Sequence, residues 1–425
     1  MEQELRTGGG DNLRAAHSSV CFSGGLIDGP RIQQLLLHCA TALESNDVTL
    51  AQQAMWVLNN IASSQGDPSQ RLTSWLLRAL VARACRLCGP AGATQSAAAR
   101  APAPRERAMS VTELAEYVDL TPWHRFGFTA SNGAILRAVV GSAAVHVVDL
   151  SVTRCMQWPT LIDMLSKRPG GPPALRITVP SARPAVPPQL DVSDEEIGLR
   201  LANFAKSKGV QLEFSVIKCG SPSPSPTSSP PKKQAALCQD LASVLSDRQS
   251  LGLRDGEALV VNCQSWIRHV APGSRDAFLD AVRALNPCLV TVTDEDADLD
   301  SPSLATRIAG CFDFHWILFD ALDTSAPRDS PRRVEHEAAV GRKIESVVGA
   351  DDADGAERSE SGARLAERMR RNGFAAVVFD EEAVGEVRRL LSEHATGWGV
   401  KREEDMLVLT WKGHGAVYTG AWTPN

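Results

Sequence analysis

Asp149 is the first residue whose type and place could support chemistry, because it closes the apolar run AAVHVVD. In open α/β folds, ligands bind beyond the carboxyl ends of the strands. Nucleotide sites add a glycine-rich turn there, so that backbone and helix N–H groups can approach the phosphates. The turn here is DLSVTRCMQWP, with no glycine between Asp149 and Pro159. The next apolar run, ALRITVP, ends in Val179-Pro180, not in an acid that could hold a ribose. Asp149 therefore reads as a structural acid that accepts backbone or arginine hydrogen bonds, and no cofactor is expected.

Other reactive constellations are weak. No G-x-S-x-G elbow is present. Cys85 and Cys88 form CRLC inside an amphipathic pattern without a second cysteine pair, so helix packing is expected and no metal. His146 alternates with Val145 and Val147, and reads as a satisfied histidine near a sheet; His315 in FDFHW reads the same way. Neither has an acid-and-nucleophile set beside it. Asp294, Glu295, Asp296, Asp298 and Asp300 follow the run CLVTVT without calcium-loop spacing, which suggests an exposed acidic loop. Arg364, Arg368 and Arg371 are spaced by four and three, so they share one helix face. Such a stripe is a candidate for phosphate or an acidic partner.

The elements that must position these groups follow from periodicity. Residues 1–28 read as a flexible leader, and 29–140 as all helical. Helices are expected over 30–43, 49–64, 69–87, 111–119 and 124–139, from apolar residues at a 3.6-residue period. Residues 89–107 and the Ser/Pro stretch 220–231 read as a linker and a loop. From 141 to 425, short apolar runs alternate with helical patterns. Strands are expected near 143–150, 174–179, 211–216, 257–262, 288–293 and 374–379, with helices between them. That alternation indicates an α/β body with a mostly parallel sheet covered on both faces. Two late strands around Gly413 are expected to form an antiparallel hairpin at the sheet edge. In the helical part, Leu35, Leu36, Leu76 and Leu80 supply more apolar face than a helix pair needs. They are candidates for a partner or dimer surface as well as for internal packing.

Composition narrows the function. The chain has 425 residues, with 44 basic against 50 acidic side chains and a net charge of −6. A protein that grips nucleic acid by bulk charge is normally basic, so any such contact needs a local patch or a partner. Ten cysteines sit mostly in apolar segments, and no secretory signal or membrane span is legible, which suggests a reducing compartment and no membrane.

The ordered motifs resemble the GRAS family of plant transcriptional regulators. IQQLLLHCATALES through SQRLTSWLLRALVARA is similar to its first leucine-rich region. VHVVDL matches the VHIID element through Val147, Val148 and Asp149, followed by Gln157-Trp158-Pro159. RDAFLDAVRALNPCLVTVTDEDADLD and the helix after it resemble the PFYRE region, through Arg275, Pro287 and Arg307, with Arg358 in ERSE. The end resembles the SAW region through Trp398, Trp411 and Trp422, with Gly420 in place of the serine. The likeness spans 29–425 as one GRAS domain, and LTPWHRFGFTASNGAILRAV resembles the SCARECROW-like 32 type subgroup.

The resemblance implies a helical cap on a Rossmann-like body similar to small-molecule methyltransferases. It implies a nuclear, non-enzymatic regulator that pairs with itself or with other GRAS proteins. It further implies DNA-binding partners such as zinc-finger transcription factors, with possible contact to double-stranded DNA. Two competing readings are an S-adenosylmethionine-dependent methyltransferase-like enzyme and a scaffold co-regulator without DNA contact.

Overall fold

Val145, Val147, Val148 and Leu150 alternate along one strand, yet all are 1% exposed or less. A strand buried on both faces must lie inside a covered sheet. In a computed structural model of the chain, described for residues 29–88, 108–153, 155–181, 183–184, 190–219, 241–349 and 357–425, this strand is β1 (Ala144–Ser151). Val145 and Val147 join the core on one face, and Val148 and Leu150 the core on the other.

The sheet comprises β1, β2 (Ala174–Pro180), β3 (Leu212–Ile217), β4 (Ala258–Gln264), β5 (Leu289–Glu295), β6 (Phe374–Ala376), β7 (Trp398–Glu403), β8 (Met406–Trp411) and β9 (His414–Pro424). Its order is β3-β2-β1-β4-β5-β9-β8-β7, with β6 pairing β9. The pairings from β3 to β5 are parallel; those of β9, β8, β7 and β6 are antiparallel. The α/β class and mostly parallel centre expected from sequence are borne out. The β8–β9 hairpin around Gly413 exists, but it does not end the sheet. β9 inserts against β5, and the edge is β7, WGVKRE. Its exposed Lys401, Arg402 and Glu403 suit an edge that must not recruit another strand. The same charges hid it from periodicity. Residues 377–379, expected as the end of a strand, form a loop after β6.

Helices Gly29–Glu44, Val48–Ile61 and Pro68–Cys88 form a cap, and they do not form it alone. Helices Leu304–Ser325 and Pro331–Gly349, from the far half of the chain, pack against them. Leu304–Ser325 is apolar nearly all round, which marks a helix with neighbours on every side. At Gly341 the backbone lies against the Trp75 ring, leaving no room for a Cβ. Helix Trp123–Ala138 instead packs on the sheet, beside helix Glu381–Ser392. There Gly127 lets the helix approach so closely that a Cβ would stand 2.6 Å from Thr293 Cγ2 and 2.7 Å from Gln264 Nε2.

Candidate functional site

The carboxyl ends of β1, β4 and β5 are where an α/β fold would present a ligand site. Asp149 is fully buried there. Its Oδ2 accepts from the Trp158 indole Nε1 at 2.8 Å and from Ser151 Oγ at 3.0 Å; its Oδ1 accepts from Asn262 Nδ2 at 3.0 Å. Asn262 Oδ1 in turn accepts from Thr291 Oγ1 at 2.8 Å, which ties β1, β4 and β5 together. Asp149 is thus a structural acid, but its partners are side chains of β1 itself, the QWP turn and β4, not the backbone or arginine groups expected. The Trp158 indole is bonded to the acid that ends β1, and β2 ends in Val179-Pro180 without a carboxylate, so the residues present do not fit an S-adenosylmethionine ribose. Replacing Trp158 with Phe keeps most of the packing and removes one donor to a buried carboxylate. Thermal or urea unfolding should show a loss of about 1–3 kcal/mol.

Beside this turn lies a buried network of ions. Arg268, just past β4, meets Asp294 at 3.2 Å, Glu295 at 2.8 Å and Glu357 at 3.3 Å. Lys343, from helix Pro331–Gly349, pairs with Glu295 and meets Glu357 at 3.4 Å. Arg275 is wholly buried, meets Glu360 at 3.2 Å and donates to the Arg358 carbonyl. Arg358 N donates to the Arg268 carbonyl at 2.9 Å. The segment 357–360 is therefore strapped across the sheet end. Burial alone would raise the Glu357 carboxyl, but Lys343, Arg268 and His269 hold it down at about 2. Burial pushes the Lys343 ammonium down to about 7, and Arg268 acts in the same direction. The run from Asp294 to Asp300 is consequently not the solvated loop its composition suggested. Asp294 and Asp300 are buried because arginines from three separate segments reach them.

The arginine stripe also needs correction. Arg364, Arg368 and Arg371 do lie on helix Gly362–Arg371. Arg364 is held by Asp298 at 3.1 Å and by Asp300. Arg368 is held by Glu360 at 3.0 Å and Asp276 at 2.6 Å, and Arg371 by Asp276 at 3.1 Å. Each cation already has a carboxylate, so the face carries little free positive charge.

The chain-wide comparison settles the family. A model of the GRAS domain family matches residues 32–423. The chain belongs to the GRAS family. It is similar to Scarecrow-like protein 32 of Arabidopsis thaliana, at 43% identity over 94% of this chain and 95% of that one. Protein SHORT-ROOT 1 of Oryza sativa subsp. japonica is 34% identical over 92% of this chain and 68% of its own. The Scarecrow-like transcription factor PAT1 of Arabidopsis thaliana is 29% identical over 91% and 75%. The crystal structure of SCL7 in Oryza sativa superposes with a TM-score of 0.72 at 26% identity, covering 92% of this chain and 99% of that one. Transcription regulation is the function class these plant relatives carry.

The remaining GRAS motif residues are framework. Arg307 donates to the carbonyls of Ser301 at 2.6 Å and Pro302 at 2.9 Å, pinning the loop that enters helix Leu304–Ser325. Pro287 is buried where the chain enters β5. Trp411 and Trp422 are fully buried, and Trp411 Nε1 donates to Asp320 at 2.7 Å. Trp398 is half-buried, 4.9 Å from the Trp411 ring.

In the GRAS cap, Leu36, Leu76 and Leu80 are 0% exposed, and Leu35 is half-buried against the same core. They face the chain's own interior, where helices Val48–Ile61, Leu304–Ser325 and Pro331–Gly349 pack against their helices, so they are not the outward face proposed from sequence. What the cap does expose is helix Val48–Ile61. Its sequence VTLAQQAMWVLNNI has no charged residue, and Trp56 is 71% exposed at the centre of the outer face, with the partly exposed Leu50 and Val57 at the margin of the buried side. The missing charge was legible; that a tryptophan would stand outward was not.

Proposed function

We propose that this GRAS protein is a nuclear transcriptional regulator that acts through protein contacts. Its cap pairs with a second GRAS domain, its own copy or a relative. Contact with DNA comes through a DNA-binding partner such as a zinc-finger transcription factor. The observation that carries this reading is the uncharged outer face of helix Val48–Ile61 around Trp56. Large exposed aromatics are favoured anchors of interfaces, and a solvated helix face is ordinarily charged. The engagement of Arg364, Arg368 and Arg371 by acids supports an indirect route to DNA.

Trp56→Asp should weaken self-association, or association with another GRAS domain, by at least about tenfold in sedimentation velocity. Its melting temperature should stay that of the unaltered chain, because the side chain stands in solvent. An unaltered chain that stays monomeric and binds no GRAS domain, or a variant that associates as before, would sink the reading. In fluorescence anisotropy, the chain alone should show no saturable binding to mixed-sequence duplex DNA near about 0.1 M salt.

A further inference from the structure

The two edges of the sheet are built differently. β7 carries Lys401, Arg402 and Glu403, charges that keep an edge from recruiting a strand. β3 reads LEFSVI, with Glu213 as its one charge, and Glu213 accepts two bonds of 2.8 Å from Arg254. No residue of β3 is buried, whereas seven of the eight in β1 are, so the β3 edge is open to solvent. Among the described residues β2 is its only strand neighbour. An open edge without free charge is a template for a further strand.

The register shows which backbone groups this edge offers. Leu175 N donates to Gln211 O and Ser181 N to Ile217 O, each at 2.8 Å, and the parallel pairing of β2 with β3 runs unbroken between them. Along such a ladder, alternate residues turn their backbone groups to the neighbour. Gln211, Glu213, Ser215 and Ile217 thus face β2, while Leu212, Phe214 and Val216 turn N–H and C=O outward. The side chains of those three pack against the core beneath helix Asp194–Ser207, where Gly198 abuts the Phe214 ring.

The edge is complementary to itself. In an antiparallel pair of two copies centred on Phe214, that residue faces its own counterpart, and Leu212 faces Val216 of the second copy. Each outward N–H then meets an outward C=O, three donors from each copy and about six bonds in all. On one face, the apolar side chains of both copies join into a single stripe. On the other, Glu213 falls opposite Ser215, so no like charges meet.

We propose that β3 pairs with β3 of a second copy of this chain, antiparallel about a two-fold axis at Phe214, and so continues the sheet through the dimer. This surface is separate from the cap face around Trp56, and the pairing does not rest on the one proposed there.

The test uses the full chain carrying Trp56→Asp, which takes the cap contact away. Sedimentation velocity at rising protein concentration should still show a reversible dimer. Adding Val216→Pro should weaken that dimer by at least about tenfold, because it removes an outward donor and none that bonds β2. An edge strand tolerates proline at such a position, so the circular dichroism spectrum should be kept. Independently, Glu213→Cys in the Trp56→Asp chain would set the two new thiols about 8 Å apart across the axis, from the strand rise and spacing. A bis-maleimide of that reach should link them beyond the level its parent gives through the native cysteines. A Trp56→Asp chain that stays monomeric, a dimer indifferent to Val216→Pro, or a Glu213→Cys chain that links no more than its parent would each overturn the pairing. Failure of the cap reading looks different: the unaltered chain and Trp56→Asp would then associate alike, through β3.

Discussion

Acidification from pH 7 to pH 5 should lower the urea midpoint steeply, before any carboxylate network titrates. The cause is a set of histidines buried in the neutral form. His146, His269, His315 and His336 are each 6% exposed or less. Burial is the main reason their pKa values fall from 6.5, to about 4 for His146, His269 and His336 and to about 3 for His315. The hydrogen bonds agree. Arg176 donates to His146 Nδ1 at 2.9 Å, so that nitrogen accepts and Nε2 donates to Thr178 at 2.7 Å. A proton on Nδ1 would face the guanidinium directly. His336 Nε2 donates to the Tyr117 carbonyl at 2.8 Å with its ring stacked on Tyr117.

The sign follows from proton binding. Below pH 6.5 the unfolded chain takes up protons that the folded chain refuses until about pH 4, so stability falls as pH falls through that window. Each histidine contributes up to about 1.4 kcal/mol per pH unit. Four together amount to several kcal/mol, a large share of the roughly 5–15 kcal/mol of a typical domain. Glu357, held at about 2, contributes stability that is lost only as pH falls below the usual carboxylate range, so the two windows are separate. A urea midpoint that stays flat between pH 7 and pH 5 would refute the account. His336→Gln should flatten the slope by about one histidine's share.

Arg268→Met should destabilise the fold by about 3–5 kcal/mol, because it removes the cation shared by Asp294, Glu295 and Glu357 and leaves buried carboxylates behind. Met preserves much of the volume, so the loss would be electrostatic more than steric. Equilibrium urea unfolding should show a lower midpoint with an unchanged slope. Adding Glu357→Gln in the same chain should recover part of the loss, since it removes one uncompensated charge. A single variant with unaltered stability would mean that the network is solvated, contrary to its burial.

The two variants act where sequence reasoning was least informative. The run from Asp294 to Asp300 is five acidic residues with one alanine and one leucine, and such composition ordinarily means solvent. Its burial depends on Arg268, Lys343, Arg275 and Arg364, whose positions in the chain give no sign that they converge. Leu36, Leu76 and Leu80 illustrate the converse. Their spacing identified an apolar face, but no local pattern says whether a partner or the chain's own helix Leu304–Ser325 covers it. The edge strand Trp398–Glu403 escaped notice because the charges that keep an edge from pairing also erase the alternation that marks a strand.

By itself, the sequence determined the class of fold, the order of the elements and the family. These are local or collinear properties: a strand declares itself through its own apolar run, and VHVVDL, QWP and ERSE declare themselves by order and identity. It also determined that Asp149 lacks the glycine turn of a nucleotide site. Only the tertiary structure decided that Trp158 bonds Asp149 there, that acids and arginines from four segments neutralise one another at the sheet end, and that Trp56 stands in solvent. Burial and charge pairing depend on which distant residues meet, and helices Leu304–Ser325 and Pro331–Gly349 close the cap across more than half of the chain.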